Sequence, residues 1–346
     1  KPKIQYNKFM NLNGMTPIQM HRLALKLKPI FIGRLFIIES LQHPGFHYDN
    51  GQFVKILESE EGITSEFISD FAKNYSREIF ISNEDFNLLS SKLKEELTKL
   101  TRSLSIGDIK KNAIKHSNLL SMQMNSLYED PYNDSLLTNQ FQNSKNLSTL
   151  LLANKNIHKP VFENIKNSNY HYILTQPLLS SILLLSFIQS LKLFNEKEIE
   201  GLFLTSYFKD VGLSFIPREK FEQAHLSKFD KQFFSRHAEN SMAILDGRVP
   251  LNTTQLNIIK NHHFLNYKIQ ALIKDGNSKD DLEFLTGIES TLISSFDILI
   301  AMTANRPYRK GITTFSALEL LKKVIAEEYP HEFKALILFL RNFLTK

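Results

Sequence analysis

From about residue 150 to its end the chain places apolar residues at helical spacing and has no alternating run that would make a strand. Leu-, Ile- and Phe-rich segments at 170–194, 197–208, 230–245, 253–265, 282–304 and 314–343 each have the length of a helix. Several apolar stripes in succession are stable in water only when buried against one another, so the second half is expected to be an all-α bundle. The most apolar run, "LLSSILLLSFI" (178–188), falls well short of the roughly 18 residues that cross a bilayer, and it contains three serines. It reads as a buried core helix, and no membrane span is expected.

The first part of the chain has a different texture. Runs at 30–40 ("IFIGRLFIIES"), 52–57 ("QFVKIL") and 78–82 ("EIFIS") are rich in Ile, Phe and Val, and Asp49-Asn50-Gly51 is a turn signal between strands. Between the last two runs, Phe67, Ile68 and Phe71 have helical spacing. Residues 1–88 are therefore expected to form a small α+β module, making the whole protein mainly α. Leu89, Leu93, Leu97, Leu100 and Leu104 then mark a long amphipathic helix. Its leucine stripe needs a cover, either the chain's own second half or another copy in a homodimer. The Asn-, Ser- and Gln-rich stretch 131–148 reads as a loop, so 89–150 is taken as a helical linker and loop and 151–346 as the helical domain.

Charge narrows the function. The 42 basic and 36 acidic residues leave a net +6, and the basic residues are scattered, which does not favour a nucleic acid polymer as partner. There is no cysteine, so disulfides and thiolate metal sites are excluded and a reducing, cytoplasmic compartment fits. The opening "KPKIQYNKFM" contains no signal-peptide apolar core, in keeping with a soluble chain.

Within the helical half stand Asp210, His237, the pair His262-His263 and Asp297, followed by "TANRPYRKG" (303–311). Helices that each offer a His or Asp toward one point are how a bundle builds a metal site for iron, manganese or zinc. No pair here has a local metal-binding spacing, and a single histidine is more often a surface or core residue.

The order "KDVG…IP", "RHAENSMAIL", "NHH" and "SSFDILIAMTANRPYR" over residues 165–346 resembles the HD-GYP family, the cyclic-di-GMP phosphodiesterase branch of the HD-domain metal hydrolases. "TANRPYRKG" at its spacing after Asp297 is the most specific part. The resemblance implies an HD-GYP-like bundle, with Asp210, His237, His262, His263 and Asp297 as metal ligands and Arg306 and Lys310 as nucleotide contacts. Arg306 could equally pair with a carboxylate. The same comparison shows departures. The first ligand histidine of the family falls at or near Gln176, with His171 out of register, and Leu213 replaces a lysine associated with substrate phosphate. "HHFLNYKIQALIKDG" stands where the GYP loop would be. In the catalytic doublet, Lys209 replaces histidine beside Asp210.

A lysine ammonium has no lone pair for a metal. If Asp210 and Asp297 converge, Lys209 would neutralise them in place of a lost cation; otherwise it points to solvent at a helix C-terminus, where cations are favoured. At most one divalent metal is expected, or none. The favoured function is a degenerate HD-GYP-like protein of bacterial cyclic-dinucleotide signalling, binding a nucleotide or a signalling protein with hydrolysis lost or weak. The alternative is an active metal-dependent cyclic-di-GMP phosphodiesterase with a reduced metal centre.

Overall fold

The computed structural model describes residues 10–11, 17–49, 51–75, 78–168, 170–275, 287–307 and 309–344. The chain divides into two compact units, Lys1–Arg102 with Ser168–His171 and Ser103–Asn167 with Tyr172–Lys346.

The first unit contains β1 (Met10–Asn11), α1 (Pro17–Ala24), β2 (Leu27–Phe31), β3 (Gly45–Asp49), β4 (Gln52–Leu57), α2 (Ser65–Asn74), β5 (Glu78–Ser82) and α3 (Asn83–Arg102). Its strands form one antiparallel sheet in the order β1-β4-β3-β5-β2. The β3–β4 hairpin turns at Gly51, whose φ of 81° is the left-handed conformation that glycine adopts without strain. One face packs Ile30, Ile79 and Ile81 with Leu35, Ile68, Phe71 and Leu89; Leu27, Phe46 and Phe53 form a second cluster with Phe80. The α+β character is as expected, with two differences. The run 30–40 is not one strand, because pairing with β5 ends at Phe31 and residues Ile32–Ile37 tighten into a 3-10 helix that buries four consecutive positions. A pleated strand would have sent alternate residues to opposite faces. The short β3, with polar His47 and Asp49, carries little apolar signal of its own. Leu89, Leu93, Leu97 and Leu100 of α3 are buried within the chain.

Among the described residues the second unit is built of helices: α4 (Ile109–Glu129), α5 (Asp134–Ala153), α6 (His158–Lys166), α7 (Tyr172–Leu191), α8 (Glu196–Phe208), α9 (Lys228–Ser235), α10 (His237–Leu245), α11 (Thr253–Asn261), α12 (Phe264–Asp275), α13 (Ile288–Thr303), α14 (Thr314–Ile325) and α15 (Pro330–Leu344). The stretch 131–148 is therefore not a loop. Asn133 caps α5 through Leu136 N at 3.1 Å, and Leu137, Phe141, Leu147 and Leu151 are buried at helical spacing. Polar residues inside the bundle donate to backbone carbonyls: Ser144 Oγ to Phe141 O and Gln140 Nε2 to Leu120 O. The boundary between units accordingly falls after Arg102 rather than at 88 or 150.

At the centre, α7 packs against α6, α8 and α13. It is the one described helix long and apolar enough to cross a membrane, but most of it is buried inside the protein. Its serines return their hydroxyls to the helix, Ser181 to Pro177 O at 2.7 Å and Ser180 to Gln176 O at 3.0 Å, so they bring no unsatisfied group into the core. Leu184 has no exposed surface. Leu184→Ala should lower the stability of this unit by about 2–5 kcal/mol in urea denaturation; an unchanged midpoint would contradict this packing.

Candidate metal centre

Helix α8 begins at a reciprocal cap, in which Asn195 Oδ1 accepts from Glu198 N at 3.0 Å and Glu198 Oε2 accepts from Asn195 N at 2.8 Å. Its buried run ends at Lys209-Asp210, and a 3-10 turn, Val211–Phe215, follows. Gly212 in that turn lies directly under α10. A Cβ there would sit 2.2 Å from His237 O and 2.5 Å from Ser241 N, and Gly212 N donates to Ser241 Oγ at 2.8 Å. A side chain at 212 would push His237 off the doublet. His262 and His263 follow the end of α11, and Ser294 Oγ on α13 donates to His262 O at 2.7 Å.

These elements bring together the five residues that the sequence nominated. His237 Nε2 lies 3.1 Å and His262 Nε2 3.3 Å from Asp210 Oδ1. The Nε2 atoms of His237 and His262 are 3.3 Å apart, and those of His263 and His237 are 3.1 Å apart. Backbone carbonyls determine the tautomers: His237 Nδ1 donates to Phe234 O at 2.6 Å and His262 Nδ1 to Ile259 O at 2.7 Å. In the neutral rings both Nε2 atoms then carry lone pairs, and those lone pairs face each other and a carboxylate. Such an arrangement is repulsive unless a cation lies among them. Burial, and then the neighbouring His262 and His237, hold the His263 pKa well below the ordinary imidazole value, in the neutral form that binds metals. His237, His262, His263 and Asp210 thus have the donor chemistry for one divalent ion.

On the other side of Asp210 the cation is part of the chain. Lys209 is fully buried, with Nζ bonded to Asp210 Oδ2 and 2.7 Å from Asp297 Oδ1. It does not point to solvent. Burial works against the ammonium, but the carboxylates of Asp210 and Asp297 outweigh it and raise the Lys209 pKa. For Asp210, burial is opposed by the charge of Lys209, and the balance holds its pKa well below the usual carboxylate range. The pair therefore stabilises the fold above about pH 4, where the unfolded aspartate ionises, and below about pH 10, where the unfolded lysine is charged; the contribution fades as pH falls below the first limit or rises past the second.

Gln176 lies where the resemblance places a ligand histidine. Its Nε2 donates to Asp297 Oδ1 at 2.8 Å, and its Oε1 accepts from Arg306 Nη2. Leu213 is partly buried in the 3-10 turn. Lys310 is exposed, and no described interaction joins it to the cluster. His171 belongs to the first unit, where it stacks on Phe31 with ring centroids 5.1 Å apart. After His263 the chain enters α12, with no GYP turn among the described residues; 276–286 lie outside them. Sequence reasoning missed Tyr172, Ser241 and Ser294. Each lies one helical turn from a nominated residue, Tyr172 four before Gln176, Ser241 four after His237 and Ser294 three before Asp297, which is the signal that could have found them.

The fold that carries this cluster is that of an HD-GYP protein. It is shared with Bd1817, an HDG"Y"P protein from Bdellovibrio bacteriovorus, at a TM-score of 0.63 and 16% identity, over 91% of this chain and 99% of that one. No family model and no curated protein matches the sequence.

Lys209→Met keeps most of the side-chain volume and removes the charge, leaving two carboxylates buried without their common partner. It should cost about 3–5 kcal/mol of stability in urea denaturation at pH 7; a neutral outcome would mean that the ammonium does not hold the two aspartates.

Proposed function

We propose that this chain is a degenerate HD-GYP protein of bacterial cyclic-dinucleotide signalling, cytoplasmic, and acting by binding a cyclic dinucleotide or a signalling protein, with hydrolysis lost or very slow. The observation that carries the proposal is the Lys209 ammonium between Asp210 and Asp297. Two-metal phosphodiester hydrolysis uses cations about 3.5–4 Å apart to activate water and to stabilise the charge on the attacking and leaving oxygens. An ammonium carries one charge and three hydrogen-bond donors. It can hold carboxylates or an oxyanion, but it has no coordination position at which to acidify water.

The remaining donors, His237, His262, His263 and Asp210, suit one iron, manganese or zinc ion, with Asp297 drawn onto Lys209 instead. When bound, that ion would supply Lewis acidity to a phosphodiester oxygen. The chain's own groups hold Asp210 between the imidazoles and the ammonium and keep both Nδ1 protons on backbone carbonyls. For a nucleotide phosphate, Lys310 is the exposed cation. The inward-facing imidazole nitrogens favour a second reading, an active phosphodiesterase with a single-metal centre.

Elemental analysis together with chromatographic assay of cyclic-di-GMP separates the two. At most one divalent ion per chain and absent or very slow turnover are expected, and Lys209→His combined with Gln176→His should raise the metal content. One ion with steady turnover would favour the single-metal enzyme. Two ions at full occupancy, or rapid hydrolysis by the unmodified chain, would overturn the degenerate reading.

A further inference from the structure

We propose that Arg306 is a positioning residue for the lysine-filled position and not a ligand for a nucleotide phosphate. This rests on the reading of Lys209 as a replacement cation and extends it to two more side chains. Gln176 has a single favourable orientation. With its NH2 toward Asp297 Oδ1 and its Oε1 toward Arg306 Nη2, each of these two contacts joins a donor to an acceptor. Reversed, it would set an oxygen against a carboxylate and an NH2 against a guanidinium. A continuous ladder therefore runs from Arg306 through Gln176, Asp297 and Lys209 to Asp210. The same oxygen, Asp297 Oδ1, takes Lys209 Nζ at 2.7 Å and Gln176 Nε2 at 2.8 Å, so the amide fixes the carboxylate that the ammonium needs.

Arg306 is itself held on two sides. Its guanidinium lies 3.6 Å from the centre of the Tyr172 ring, and Tyr172 precedes Gln176 by one turn of α7, so both partners come from one face of one helix. The backbone that carries it is built to match. Arg306 N donates to Arg309 O at 2.8 Å, and Arg309 N to Arg306 O at 3.2 Å. Arg309 in turn donates to Ala301 O at 2.7 Å and Met302 O at 3.1 Å at the end of α13. Gly311 leaves no room for a Cβ, which would fall 2.2 Å from Thr303 O. A guanidinium that is stacked, bonded and carried on a pinned turn places its charge behind Asp297. Arg306 thus serves the interior of the site, and the ladder closes the position that Gln176 would otherwise leave open to a metal.

The test follows the side-chain ammonium signal of Lys209 by NMR in the full-length chain, with cyclic-di-GMP binding measured by calorimetry. The unmodified chain should show a slowly exchanging Lys209 ammonium. Arg306→Ala and Gln176→Leu should each shift that signal, Arg306→Lys should restore it toward the unmodified position, and Arg306→Ala should add nothing in the Gln176→Leu background. Cyclic-di-GMP affinity should be unchanged in Arg306→Ala. Loss of affinity by about tenfold or more with the Lys209 signal unmoved would make Arg306 an anion ligand and overturn the proposal, while leaving the replacement-cation reading intact. An unprotected Lys209 ammonium in the unmodified chain would instead remove the reading beneath it. If cyclic-di-GMP does not bind, the ammonium signals decide alone; if Arg306→Ala does not fold, Arg306→Lys and Gln176→Leu decide.

Discussion

The site is organised by one buried ammonium between two carboxylates. Lys209, Asp210 and Asp297 come from the end of α8 and the middle of α13, and all three are buried. A carboxylate pair alone would repel and be costly to desolvate, and a lone buried lysine would tend to lose its proton. Together they leave one net negative charge, and the free oxygen of Asp210 directs it toward the imidazoles of His237 and His262. The lysine thus does more than fill a gap, because it determines how much charge remains for the histidine side.

This arrangement divides what a two-metal site would do. On one side the cation is supplied by the sequence, permanent and without Lewis acidity; on the other, inward lone pairs are held by Nδ1–H bonds to Phe234 O and Ile259 O. Holding phosphate oxygens asks for positive charge and donors, which a divalent ion among the imidazoles or an exposed cation such as Lys310 would supply. Hydrolysis asks for an activated water placed in line, which the ammonium half does not supply. The proposed loss of hydrolysis rests on that difference, and it needs no distortion of the scaffold. Gly212 still admits α10, and Ser294 still ties α13 to His262.

Much of the site was legible because its residues are spread over several helices in an order that few bundles share. Asp210, His237, His262, His263 and Asp297 have no local metal-binding spacing, so their convergence was an expectation carried by the resemblance to the HD-GYP motifs and not by the helical pattern around them. Composition misled where polar residues lie inside helices. The stretch 131–148 reads as a loop by its Asn, Ser and Gln content, yet Gln140 and Ser144 hydrogen-bond to backbone carbonyls and α5 is continuous. The 3-10 segment after β2 was invisible for the opposite reason, since an unbroken apolar run does not say where pairing with β5 stops. The link from Arg306 to Gln176 joins residues 130 apart in sequence and depends on the stacking surface of Tyr172, which no local pattern announces.

Crystals of the unmodified protein soaked in Mn2+ and measured by anomalous scattering would test cation replacement most directly. The expected map has one anomalous peak at most, among His237, His262 and His263, with ordinary lysine density reaching between Asp210 and Asp297. A second anomalous peak between those two carboxylates, with the Lys209 side chain displaced, would contradict it.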